Sequence, residues 1–320
     1  MTNYGFLLFI SIKMKSLTKK LHIAPFDILN LCFLMLLLGF SIIFYAKIPE
    51  AKTLIFLYIF LFVAVFLCAF IPFPQRKQVS FRLIHLIYPI ILIPIIFNSL
   101  GKIIPYINPH YIDYILIKTD YFFFGAHPTV WIGRFIRPWL TELMQLAYIS
   151  YYFLPVCLGV GLYLKENKHI LTVLFSLLLG FYVSYLGYLL FPAIGPRFTL
   201  MHNEPLYRGA HLAQFIASTL NTIEINKTDA FPSAHTQISL MCVYYAFHLG
   251  KFHVIIYGLI TSLLIVSAIY CRYHYVIDVI IGVVLAALCI YLGPVLEEIL
   301  SKKSSPRGIE NLIPRGKNIK

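Results

Sequence analysis

Two short stretches hold the residues best suited to chemistry. Phe231-Pro232-Ser233-Ala234-His235-Thr236 sets a histidine beside Pro-Ser at the start of an apolar run. Arg272-Tyr273-His274-Tyr275-Val276-Ile277-Asp278 sets a histidine four residues before an aspartate, at the start of another. On a helix that spacing puts both side chains on one face. Two histidines, a carboxylate to orient one of them and nearby arginines suit transfer of a phosphoryl group through a phosphohistidine.

Each part has a chemical reason. Asp278, one turn beyond His274, can accept a bond from one ring nitrogen. That would fix the tautomer and leave the other nitrogen a better nucleophile. Standing alone, the pair equally fits a structural cap on a helix end. Pro232 suits the first turn of a helix. Free N–H groups there, with the Ser233 hydroxyl, form an anion site. His235 could then protonate a leaving oxygen as general acid, although the stretch alone also reads as a helix cap with an incidental histidine. In a third stretch, Phe191-Pro192-Ala193-Ile194-Gly195-Pro196-Arg197, two prolines and a glycine form a rigid turn that holds Arg197 at the membrane surface. A guanidinium fork matches phosphate oxygens bidentately, and a snorkelling arginine is the plain alternative. Arg272 and Arg208 are further candidates to hold substrate, with Lys227 another cation.

The elements that must position these residues are membrane helices. The chain has 320 residues, 60% hydrophobic and 12% charged. Soluble domains carry roughly 25% charged residues, so this chain cannot cover a water-facing surface. The expected fold is all-α and polytopic, with about eight transmembrane helices. Apolar stretches of the length a bilayer core demands fall near 28–45, 54–71, 83–100, 143–164, 170–190, 235–249, 254–270 and 275–296. Pro89 and Pro94 should kink the third. No internal repeat or second domain is visible. The chain divides into a basic N-terminus (1–27), N-terminal helices with an interfacial loop (28–142), a catalytic helical bundle (143–296) and a basic, disordered tail (297–320).

The net charge of +13 follows from this topology. An even number of spans puts both termini on one side. That side carries 16 Lys and Arg against 5 acidic residues, and the opposite side 10 against 8. The positive-inside rule then makes both termini cytoplasmic, and no nucleic-acid site is needed to explain the basic balance. Arg197, His235, Arg272, His274 and Asp278 all fall at extracytoplasmic helix ends in this arrangement. Two long loops share that side, 101–141 with its aromatic Tyr121-Phe122-Phe123-Phe124, and 191–232. The apolar run at Tyr4–Ile12 precedes its lysines, the reverse of a signal peptide, and Met14 is a second candidate start. The six cysteines form no CxxC pair and read as small buried hydrophobes.

The order and spacing of the three stretches resemble the type 2 phosphatidic acid phosphatase superfamily, which includes vanadium-dependent haloperoxidases. Its pattern is an arginine-bearing motif, then Pro-Ser-x-His, then a histidine four residues before an aspartate. Here these are Arg197, Pro232-Ser233-Ala234-His235 and His274 with Asp278, followed by Gly282. The match runs from about Asp120 to Leu292. Asp120-Tyr121-Phe122-Phe123-Phe124-Gly125 looks like the branch containing inositol phosphorylceramide synthases. The resemblance implies a helical-bundle phosphatase core, with His274 as nucleophile, Asp278 as its orienting partner and His235 as general acid. Arg197 and Ser233 would hold the phosphate, and neither a metal nor another cofactor is implied. The sequence departs from the pattern in two places. Ser267 is followed by Ala268 instead of arginine, and Arg272 stands only two residues before His274. The usual lysine upstream of Arg-Pro is also missing.

The expected function is therefore a membrane lipid-phosphate phosphatase working at the extracytoplasmic face. Transfer of a phospho-headgroup to a lipid or sugar hydroxyl is the enzymatic alternative, sharing the phosphohistidine step. A transporter of an anionic lipid or solute would place ionisable residues near the bilayer midplane, whereas these spans are nearly free of them.

Overall fold

The computed structural model describes residues 23–70 and 79–303. The basic N-terminal run, Met14, Arg76, Lys77 and the tail beyond residue 303 lie outside the described residues. Thirteen α-helices follow one another among the described residues: α1 (Pro25–Ile43), α2 (Ala51–Phe70), α3 (Val79–Leu100), α4 (Ile104–Ile107), α5 (Asp113–Phe124), α6 (Pro128–Trp131), α7 (Pro138–Leu164), α8 (Ile170–Leu190), α9 (Pro196–Thr199), α10 (His211–Ile223), α11 (Ala234–Tyr245), α12 (Lys251–Tyr270) and α13 (Val276–Lys303). Among them no strand forms, and the β contact is an isolated parallel bridge between Ala193 and Asp229.

Six of the eight expected spans have the length and hydropathy a bilayer asks: α1, α2, α7, α8, α12 and α13. In α3 the described apolar stretch is shorter, His85–Leu100, and Pro89 and Pro94 lie inside the helix. The run beginning at His235 gives only 12 residues of α-helix before Ala246–Leu249 tightens into a 3-10 turn. Twelve residues rise about 18 Å, short of the roughly 30 Å of a hydrocarbon core. The last helix runs to Lys303, so residues 297–303 are helical where a tail was expected. The expected interfacial loop holds α4, α5 and α6, and the loop after α8 holds α9 and α10.

Helix α8 is apolar around most of its circumference because it lies between two cores. One side, through Phe175, Leu178, Tyr182 and Tyr185, joins Leu34 and Leu37 of α1, Leu54 and Tyr58 of α2, and Ile96 of α3. Phe33 stacks on Tyr182 there, with centroids 4.2 Å apart. The other side, through Val173 and Leu177, joins Leu158 and Leu162 of α7, Ile238 and Met241 of α11, Leu264 of α12 and Ala286 of α13. The second core carries the site, because His235 lies in the first turn of α11 and His274 in the turn just before α13. A chain of buried polar groups in the first core is paired, which matters where water is scarce. Asn30 bridges Tyr182 (2.7 Å) and Tyr88 (3.1 Å), and Tyr88 donates in turn to Asp27. Outward-facing side chains such as Phe56, Leu164, Leu259 and Tyr291 are exposed and apolar, as a lipid-facing surface requires.

Candidate active site

The turn between α12 and α13 aims His274. Helix α12 ends as Tyr273 and His274 both donate their backbone N–H to the Ala268 carbonyl, at 3.0 and 3.1 Å. Arg272 takes the left-handed conformation there, φ 66°, as residues just past a helix C-terminus do. That conformation costs a non-glycine residue about 1–2 kcal/mol, and it directs the Arg272 and His274 side chains apart. Helix α13 then starts on two carboxylates. Asp278 Oδ2 accepts the Tyr275 N–H at 2.8 Å, and Asp120 accepts those of Val276 and Ile277, each at 2.9 Å.

His274 is buried, and its Nδ1 lies 2.7 Å from the Ala230 carbonyl. A carbonyl can only accept, so Nδ1 carries the ring proton and Nε2 keeps a lone pair. The nearest Asp278 oxygen is 3.7 Å from the same nitrogen. Nε2 faces His235 Nδ1 at 3.3 Å. With a lone pair on the first nitrogen, the second must donate. His235 Nε2 has no hydrogen-bond partner. The ring of His235 is gripped between Tyr148 and Tyr151, with centroids 4.3 and 4.1 Å away.

Ser233 is the N-cap of α11. Its Oγ accepts the Thr236 N–H at 3.3 Å, and its own N–H reaches the Asp278 carbonyl at 3.2 Å. The N-termini of α11 and α13 therefore touch. Gly282 makes the approach possible, because a Cβ there would stand 2.7 Å from the Ser233 carbonyl oxygen. Arg197 belongs to α9. Its guanidinium lies over the rings of Phe198 (4.6 Å) and Tyr273 (4.9 Å), and its backbone N–H bonds the Arg272 carbonyl at 3.0 Å. Gly195 sits at φ 89° with Tyr273 O only 2.7 Å from where a Cβ would be, so a side chain is excluded on both counts.

Two cavities lie nearby. One of about 780 Å³ runs between α3, α7, α8 and α10 and is almost wholly apolar. Its acidic and basic side chains are Glu224, Asp229 and His235. The second, of about 300 Å³, is lined by Trp131, Arg134, His202, Asn203, Glu204 and Arg272. Arg272 donates to the Glu204 carbonyl at 2.7 Å there and does not line the cavity that His235 faces. Arg208 is exposed on the preceding loop. Among the described residues no three His, Cys, Asp or Glu side chains converge as a metal-ligand set.

Burial governs the electrostatics. His274 is pushed down to about 4 by desolvation, against the opposing pull of Asp229 and the Ala230 carbonyl. Asp229 is pushed up to about 6, by burial first and then by Glu224. Glu224 is raised too, mainly by burial, although it accepts a bond from Tyr152. At neutral pH the nucleophile candidate is therefore uncharged.

Sequence reasoning missed Ala230, Tyr148, Tyr151, Asp229, Glu224 and Asp113, and it quoted Asp120 without a role. A backbone carbonyl has no sequence signal. Asp113 and Asp120 do leave one: they stand seven residues apart on an aromatic helix, which is two turns and one face.

A family model described as the PAP2 superfamily matches residues 121–292, more than half of the chain, and the chain belongs to that superfamily. The six long apolar helices among its described residues fit a membrane-embedded member of that superfamily. Among curated proteins, the chain is similar to a PA-phosphatase related-family protein of Dictyostelium discoideum, 24% identical over 186 residues. The aligned part is 50% of this chain and 33% of that protein, so the chain spans about a third of the relative's length. No solved structure matches.

Proposed function

We propose that the protein is a metal-independent lipid-phosphate phosphatase that works through a phosphohistidine on His274 at the extracytoplasmic membrane face. One observation carries this: His274 Nδ1 is tied to the Ala230 carbonyl while Nε2 faces His235, which lines the large apolar cavity. The substrate's hydrocarbon occupies that cavity, and its phosphate enters between the two rings.

A phosphate monoanion brings in the proton that His235 takes up. The Nε2 lone pair of His274 attacks phosphorus, the bond from phosphorus to the lipid oxygen breaks, and His235 returns the proton to that oxygen. Water then attacks the phosphohistidine, giving a proton to His235 as the P–N bond breaks, and His235 passes that proton to the orthophosphate before it leaves. Arg197 and the N-terminal N–H groups of α11 offset the phosphate charge. Asp278 faces the positive ring that phosphorylation creates. Both termini are cytoplasmic in this arrangement, with α3 and with α11 extended by its 3-10 turn at Ala246–Leu249 completing eight passages as parts of the bundle.

Transfer to a lipid or sugar hydroxyl, as in inositol phosphorylceramide synthases, is the second reading. Asp229 and Glu224 favour it, because carboxylates with raised pKa beside the histidines could take an acceptor's proton.

The test is phosphate release from a panel including phosphatidic acid and a polyprenyl diphosphate, with purified protein and EDTA present. EDTA-resistant release that His274→Ala abolishes is expected. Release that survives in His274→Ala contradicts the proposal. Turnover only after a hydroxyl lipid is added favours the transferase.

A further inference from the structure

We infer that α5 is a clamp on the active site, with Asp113 and Asp120 as positioning residues that hold the phosphate-binding turn and the histidine-bearing turn in register. The inference rests on the phosphohistidine reading for its kinetics, but its geometry stands apart from it.

The helix bonds to the Arg197 turn and to the turn that carries His274. Asp113 accepts the N–H groups of Ile194 and Gly195 at 3.0 and 2.9 Å. These are the residues that lead into Arg197. The same carboxylate accepts the Tyr275 hydroxyl at 2.8 Å, so one side chain ties the Arg197 turn to the residue after His274. Two turns on, Asp120 holds the N–H groups of Val276 and Ile277. Between them Leu116 packs in a small core with Ala193, Ala230 and Tyr275. Ala230 is the residue whose carbonyl holds His274, and its N–H bonds Ala193 at 3.0 Å.

Both carboxylates are buried. Each satisfies two or more donors that would otherwise be orphaned, and a lost partner in such a place costs about 1–3 kcal/mol. Asp120 also places negative charge at the positive end of α13. Away from the aspartate face α5 is bare. Phe122 is 82% exposed and Tyr114 and Tyr121 are exposed as well, and so are Phe123 and Phe124 at its last turn. Aromatic side chains of this kind seat at a membrane interface. The clamp is thus braced against the bilayer on one side and grips the site on the other.

The two aspartates act on different motifs, so their effects separate. The experiment uses the full chain in nanodiscs with Asp113→Asn, Asp120→Asn and Asp120→Glu, following phosphate release from phosphatidic acid, melting temperature and diethyl pyrocarbonate labelling of each histidine. Asparagine keeps one acceptor oxygen and turns an NH₂ toward the second donor. Asp120→Asn is expected to lower kcat at least about 10-fold with KM within about 2-fold, because small misplacements of a reacting group cost that much or more. Asp113→Asn is expected to raise KM about 10-fold as the Arg197 turn loosens. Labelling of His274 should rise several-fold in Asp120→Asn while the remaining histidines stay unchanged, and Asp120→Glu should recover part of the rate. Wild-type kinetics and labelling in both asparagine variants would overturn the inference. So would a general loss in which all histidines become equally reactive and the melting transition collapses. If wild-type protein releases no phosphate, the function proposal fails, and the labelling pattern alone decides the clamp.

Discussion

The imidazole of His274 is held by the carbonyl of Ala230 at 2.7 Å, while the nearest oxygen of Asp278 is 3.7 Å away and caps the helix through the Tyr275 N–H. The proton on Nδ1 is therefore fixed by backbone, and the carboxylate supports the turn that presents the ring.

Asp278 substitutions should reflect that division. Asp278→Asn keeps an oxygen for the Tyr275 N–H and should retain activity at roughly a tenth of wild type. Asp278→Ala leaves that buried donor unpaired, which costs about 1–3 kcal/mol, and should lose both stability and rate. Melting curves beside phosphate-release rates check this. Equal loss in both variants would mean that the charge of Asp278 acts on His274 directly.

The titration order in the site is inverted. Burial disfavours the charged form of each group, lowering His274 to about 4 and raising Asp229 to about 6. As pH falls from 7, the carboxyl of Asp229 should take a proton before the imidazole of His274 does. Infrared spectra should show a protonated carboxyl growing between about pH 7 and 5, smaller in Asp229→Asn, while the ¹⁵N resonances of His274 stay those of a neutral ring. An imidazolium forming at the usual histidine value of roughly 6.5 would contradict this.

Gly282→Ala should separate the two histidines. Its Cβ would stand 2.7 Å from Ser233 O and 3.0 Å from Thr236 Cβ, so α11 and α13 must move apart. Overpacking of this kind costs about 1–3 kcal/mol, and the 3.3 Å contact between His235 and His274 lies beside it. Activity should fall more steeply than melting temperature. A variant with wild-type rates would show that the approach of the two helices is not needed.

The two arginines should behave differently. Arg197→Ala removes a guanidinium held over Tyr273, next to His274, and should cost about 10²-fold in kcat/KM, the scale of losing one preorganised charge donor. Lysine should restore little of it, because the planar fork is gone. Arg272→Ala opens only the second cavity and should stay within about threefold. The reverse ranking would place Arg272 on the phosphate.

What could be read from the chain was local. His235 and His274 each stand beside the start of an apolar run, so their meeting at one depth follows from topology. The capping role of Ser233 is likewise short-range, whereas the close approach at Gly282 is to Ser233 and Thr236 of another helix and could not be read locally. The clamp residues were hidden because the partners of Asp113 and Asp120 are backbone N–H groups 82 and 156 residues away. The direction of Arg272 depends on one left-handed φ, which residue spacing does not encode. The sixth apolar run forms only 12 residues of α-helix because the chain tightens into a 3-10 turn after Tyr245, a change of winding that hydropathy does not encode.

The central claim is the covalent step on His274, and the most direct measurement traps it. Purified protein is mixed with a ³²P-labelled lipid phosphate and quenched in alkali, where phosphohistidine survives, and the labelled peptide is mapped. Acid-labile label is expected on the peptide carrying His274, none in His274→Ala, and accumulation in His235→Ala when the leaving group needs no proton. Label on another residue, or turnover by the wild type without any trapped label while His274→Ala remains active, would contradict it.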